Sequence, residues 1–62
     1  MTRKHYEMIA EQIAAQFEIA VDEDSLDTRN ALRALAYSLA DEMKMESDRF
    51  DYDRFINAAI PY

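Results

Sequence analysis

Apolar residues recur along the first third of the chain at three- and four-residue intervals: Tyr6, Ile9, Ala10, Ile13, Phe17 and Ala20. On a wheel of 100° per residue they fall within one arc of about 100°, the width of the stripe by which a surface helix faces a core. The spacing predicts a first helix from residue 2 or 3 to residue 20. Val21 and the three acids Asp22, Glu23 and Asp24 then break the period, and Asp24 or Ser25 offers a side-chain oxygen to cap a new helix. The second stripe is Thr28, Leu32, Leu35, Ala36, Leu39 and Met43, so two long helices can pack antiparallel across a short connection.

Two helices alone leave part of each stripe wet, and the end of the chain supplies a cover. Residues 45–49 read as a connecting loop, after which Asp51 caps a short helix over 52–59. Phe50 before that cap and Phe55 at the fourth helical position have the spacing of a hydrophobic staple. Pro61 cannot continue a helix. The expected fold is therefore all-α, a small three-helix domain spanning 1–62 with two longer antiparallel helices and a short C-terminal one. Its expected core is Tyr6, Ile9, Ile13, Phe17, Leu32, Leu35, Leu39, Met43, Phe50, Phe55 and Ile56.

Composition narrows the class. A chain of 62 residues buries only about 60% of its unfolded surface, so every core contact counts. The absence of Cys removes disulfides, thiol chemistry and Cys-containing zinc sites, and fits a reducing cytoplasm. No apolar run approaches the roughly 18 residues of a membrane span, and no leader pattern is present. Gly is absent too, so the turns must be few and simple.

Thirteen acidic residues against seven basic ones give a formal charge of −6, which repels nucleic acid and favours a basic partner. The charge is uneven: Glu7, Glu11, Glu18, Asp22, Glu23, Asp24 and Asp27 occur in a stretch with no Lys or Arg. On the first helix Glu7, Glu11 and Glu18 fall within about 40° of one another, spaced by about 6 and 10.5 Å along the axis. Such a row is either an ordinary solvated face or a stand-in for the phosphates of a nucleic acid strand, presented to a groove lined with Lys and Arg. Asp22, Glu23, Asp24 and Asp27 either serve the dipole of the second helix or carry the row around a corner. Asp41, Glu42, Glu46, Asp48, Asp51 and Asp53, interrupted by Lys44 and Arg49, read as mixed surface charge and caps.

Other chemistry finds little support. Asp22 with Asp24, and Asp51 with Asp53, have D-x-D spacing but lack the Gly and Glu of a calcium loop. Acids on a small convex bundle lack the desolvated cleft of paired-carboxylate catalysis. His5 has no Ser, Cys or second His to work with and reads as a capping or surface residue. No enzyme activity, metal or cofactor is expected. Met8, Ala15 and Ile19 form a second apolar stripe that can meet the third helix, a partner or a second copy, while Tyr37, Tyr52 and Tyr62 are candidate interface anchors.

The opening Met1, Thr2, Arg3, Lys4, His5, Tyr6, Glu7, the Ser-Leu-Ala-Asp ending at Asp41, and Asp48-Arg49-Phe50-Asp51 followed by Arg54-Phe55 and Ala58-Ala59 resemble a family of small phage- or prophage-encoded proteins. In size and charge the chain is also similar to type I anti-CRISPR proteins that act as DNA mimics. The family's Asn-Pro before the Arg-Phe-Asp is replaced here by Ser47-Asp48, one more negative charge. The resemblance implies a mobile-element origin and an inhibitor that blocks a basic nucleic-acid-binding groove, such as that of a Cascade subunit in the host cytoplasm; charge and helix geometry, not a family motif, nominate Glu7, Glu11, Glu18, Asp22, Glu23, Asp24 and Asp27 as the residues that meet it. In that role it is expected to be a monomer with a protein partner and no direct contact with nucleic acid. The alternative is a helical adaptor gripping a host regulatory or replication protein through Met8, Ile19, Tyr37 and Tyr52.

Overall fold

Three capped helices carry almost the whole chain in the computed structural model, which describes residues 2–61. Helix α1 (Arg3–Asp22) starts behind Thr2, whose amide donates to His5 Nδ1 at 3.3 Å, so the histidine serves as part of the cap. Helix α2 (Leu26–Glu46) starts at Ser25, whose hydroxyl accepts the Thr28 amide at 3.3 Å and donates to the Thr28 hydroxyl at 2.7 Å. Helix α3 (Tyr52–Ala59) starts at Asp51, which accepts the Arg54 amide at 3.1 Å. Phe50 and Phe55 close the staple across that cap with ring centroids 5.6 Å apart. Each helix packs on both others, giving a body of 36 × 18 × 14 Å. Among the described residues there is no strand, and no helix is long and apolar enough to cross a membrane.

The first connection shows how a chain without Gly turns. Glu23 is the C-cap of α1, and Asp24 takes the left-handed conformation at φ 54°. The Asp24 amide then reaches the Val21 carbonyl at 3.0 Å and the Ser25 amide reaches the Ala20 carbonyl at 2.8 Å. Those two bonds are the Schellman closure, with an aspartate where glycine is usual. Three residues between two helices of 20 and 21 residues leave the helices no course but to run back antiparallel. In the second connection, Lys44 Nζ donates to the backbone carbonyls of Asp48 at 2.8 Å and Phe50 at 3.3 Å, so a side chain ties the loop to the end of α2.

The core is narrower than the two sequence stripes imply. Among the described residues Phe17 is the one large side chain wholly removed from solvent. Around the core stand the alanines Ala10, Ala36, Ala40 and Ala59, all essentially inaccessible, with Ile13, Met43, Phe50 and Phe55 also buried. Small residues at these points let the helix axes approach closely, and the bulkier Tyr6, Ile9, Leu32, Leu39, Tyr52, Ile56 and Ile60 cover the edges half-buried.

Four expectations need correction. Leu35, placed in the core from its spacing, is 49% exposed, and Thr28 is exposed as well. With α1 and α3 both packed on α2, the buried side of α2 is that of Ala36, Ala40 and Met43, which leaves Leu35 outward; Thr28 is held at the cap by Ser25. Helix α1 continues to Asp22, beyond residue 20, since the Schellman bonds complete its last turn. Helix α2 continues to Glu46, so residues 45 and 46 are helical and the loop is 47–51. Of the two candidate caps of α2, Ser25 serves, and Asp24 is the turn residue before it. Tyr62 lies outside the described residues.

Two stability changes follow from this geometry. Asp24→Gly is expected to raise the unfolding free energy by about 1 kcal/mol, because a side chain at positive φ costs roughly that much; an unchanged or lower urea midpoint would contradict the turn. Phe17→Ala should cost about 3–5 kcal/mol. In a domain of this length the whole stability is roughly 3–9 kcal/mol, so the variant is expected to lose a third or more of it, read as a large fall in the urea midpoint of the far-ultraviolet helical signal.

Candidate functional site

The seven sequence-nominated carboxylates divide into one that the fold neutralises and six that it leaves outward. Glu7 Oε1 accepts from Arg3 Nε at 3.2 Å, one helical turn earlier, and from Arg54 Nη2 at 3.3 Å, across the α1–α3 seam. These pairs are about half exposed, worth at most ~1 kcal/mol each, but they give Glu7 a local role in fastening α3. Glu7 therefore leaves the acidic row as a free charge. The contact with Arg54 bridges 47 positions of sequence and has no periodic signal.

Glu11, Glu18, Asp22, Glu23, Asp24 and Asp27 are exposed, and none forms an ion pair among the described residues. Because α1 continues to Asp22, that residue joins the line of Glu11 and Glu18: the three lie within about 40° on the wheel and span about 16.5 Å along the axis. At the end of the line the chain turns, and Glu23 and Asp24 occupy the cap and the left-handed position. Asp27 follows in the first turn of α2. The structure thus places Glu11, Glu18 and Asp22 on one face and the remaining three at the corner beside it.

The charge balance is informative. Setting aside these six acids, the other seven are matched by the seven basic residues, so the whole net charge of −6 belongs to positions 11–27. The nearest cation in sequence beyond the corner is Arg29, whose half-buried side chain has its Nε buried without a hydrogen-bond partner and makes no ion pair with the corner among the described residues.

Folding does not explain the arrangement on α1. A helix favours acids at its N-terminus and bases at its C-terminus, by about 0.3–1 kcal/mol each. Helix α1 does the reverse: its first turn carries Arg3 and Lys4 and no acid, and its last turn carries Asp22 and no base, with Glu23 at the C-cap. Only Asp27, in the first turn of α2, is placed where the helix dipole favours it. The acids at the end of α1 therefore cost some stability, so dipole stabilisation of α2 alone does not account for the corner.

A second surface gathers tyrosines. Tyr37 of α2 is 42% exposed and its ring lies 6.5 Å from that of Tyr52 on α3. The Tyr52 phenol is raised above its ordinary 10.0, first by loss of hydration and then by the Asp41 carboxylate, with smaller contributions from Tyr37 and Asp53. Met8 and Ile19 are about half exposed on the outward side of α1, so these two and the tyrosine pair do not share a face. Among the described residues no group of three or more His, Cys, Asp and Glu is arranged to hold a metal ion.

A neutral phenol is favoured by the fold when its folded pKa exceeds the unfolded one. The contribution is present below the ordinary value and is lost as pH rises through the raised one. Subtracting the alkaline ultraviolet titration of Tyr52→Phe from that of the parent should isolate a phenol ionising above 10.0, and Asp41→Asn should lower its midpoint. An Asp41→Asn midpoint equal to the parent's would contradict the coupling.

Comparison with known proteins finds no matching family model, no matching curated protein and no matching solved structure.

Proposed function

We propose that this protein is a non-catalytic, stoichiometric inhibitor that docks its acidic end into a basic nucleic-acid-binding groove. The observation that carries the reading is the set of six exposed carboxylates from Glu11 to Asp27, which hold the entire net charge and have no ion-pair partner among the described residues. A basic groove supplies the cations that the fold withholds, with charge-assisted hydrogen bonds to Arg and Lys. Their number also suits steering, because a concentrated field at one end of a small body orients it during encounter.

The spacing sets the quality of the mimicry. One strand of duplex DNA carries a charge about every 3.4 Å of axis, whereas Glu11, Glu18 and Asp22 stand about 10.5 and 6 Å apart. The row therefore matches every second or third phosphate, and the corner at Asp22, Glu23, Asp24 and Asp27 supplies the denser end. Resemblance to small phage proteins and to acidic type I anti-CRISPRs gives the specific form of the proposal: the groove belongs to a Cascade subunit that recognises target DNA, in the cytoplasm of the host. The adaptor alternative has the Tyr37–Tyr52 pair in its favour, but Met8 and Ile19 lie on a different side of the molecule. Under that reading Tyr37→Ala outweighs any charge reversal.

Release of labelled target DNA from a type I Cascade complex tests the proposal. The wild-type protein is expected to displace DNA near equimolar ratio, less well as salt rises. Glu11→Lys with Glu18→Lys should weaken displacement by about tenfold or more while leaving the circular dichroism spectrum unchanged. Intact DNA binding in the presence of the wild type, or displacement indifferent to both salt and charge reversal, would remove the reading.

A further inference from the structure

At the other end of the molecule lies a concentration of positive charge around an apolar hollow. Three arginines distant in sequence meet there: Arg3 from the first turn of α1, Arg49 from the α2–α3 loop and Arg54 from α3. They rim a cavity of about 510 Å³, within the size range of ligand pockets. Its floor is aromatic. Tyr6 and Phe50 meet edge to face with centroids 4.8 Å apart, and Phe55 lies behind Phe50.

The rim retains most of its hydrogen-bonding capacity. A guanidinium has five N–H donors, yet Arg3 and Arg54 each spend one side-chain bond, on the same oxygen of Glu7, and Arg49 makes no side-chain hydrogen bond among the described residues. Glu7 is thus an internal carboxylate already seated between two of the arginines. Asp51, the other acid of the lining, is engaged in capping α3. With three cations against two acids, the lining has a surplus of one positive charge, suited to a single carboxylate; the two acids oppose a dianionic phosphate.

We propose that this hollow binds a peptide segment of a partner protein that carries one carboxylate beside an aromatic side chain. The ring lies against the half-buried Tyr6, with Phe50 beneath it, and the carboxylate takes the donors of Arg49, Arg54 and Arg3, in part by displacing Glu7. The cavity is partly open to solvent, so its occupant can be part of a longer chain. The proposal is independent of the acidic corner and of the Cascade assay.

N-acetylphenylalanine is the minimal probe, titrated to about 20 mM into ¹⁵N-labelled full-length protein, since one ring and one ion pair give millimolar affinity. Amide shifts are expected at Arg3, Tyr6, Phe50 and Arg54, with little change at Glu18 or Asp24. Arg54→Ala should abolish them. Glu7→Gln should tighten binding several-fold by freeing both guanidinium groups, an effect that a merely structural Glu7 would not produce. Spectral dispersion in the same experiment reports whether each variant is folded. Equal shifts with N-acetylphenylalaninamide, equal shifts with acetate, or no shifts at all would overturn the proposal, as would tighter binding of phenyl phosphate, which would mark a phosphate site instead.

Discussion

The fold depends on closing three helices around one phenylalanine with almost nothing else to bury. Phe17 is fully enclosed because Ala10, Ala36, Ala40 and Ala59 let the helices approach it, and larger apolar residues are left to the margins. A body only 14 Å across its thinnest dimension has no interior for polar groups, and among the described residues no polar or charged one is buried. The acidic side chains are thereby all left exposed at the surface, while Arg29 is held half-buried. Which charges meet there, and which do not, becomes the main variable that the sequence can still set.

The chain uses that freedom unevenly. Bases and acids interleave over α3, the second half of α2 and the start of α1, where Glu7 joins Arg3 and Arg54 across the α1–α3 seam. Between positions 11 and 27 there is no base. Asp22, with Glu18 one turn before it, stands at the wrong end of α1 for its dipole, and the left-handed turn between α1 and α2 is made by another acid, Asp24, at a position where glycine costs less. Several local preferences are violated in the same direction, at one end of the molecule. Such departures from local consistency are expected where a surface is shaped by something other than folding. The arginine-rimmed hollow at the opposite end carries a surplus of only one positive charge, so the net charge of the molecule is concentrated at the acidic corner.

Much of the architecture could be read from the periodicity. The α1 stripe from Tyr6 to Ala20, the Ser25 and Asp51 caps and the Phe50–Phe55 staple are local patterns, fixed within a few residues of sequence, and the structure contains them all. What was not legible depended on the third helix. The placement of α3 turns Ala40 inward and Leu35 outward, and hydrophobicity favours Leu over Ala at every position, so the stripe alone points the wrong way. The same applies to the site. The acidic line on α1 was visible from helix geometry, but Glu7 is withdrawn from it by Arg54, a partner 47 residues away, and Asp22 enters it only because the Schellman turn prolongs the helix. A search for a glycine at that turn finds none, since Asp24 takes the place.

The central physical claim is that the carboxylates from Glu11 to Asp27 repel one another in the free protein and await cations from outside. The most direct measurement is the urea midpoint at low and moderate sodium chloride, for the wild type and for Glu11→Gln with Glu18→Gln. Screening of an uncompensated acidic cluster should raise the wild-type midpoint as salt increases, and neutralising two of its members should reduce that rise. A midpoint that falls with salt, or a salt response identical in the two proteins, would mean that these charges are balanced within the fold after all.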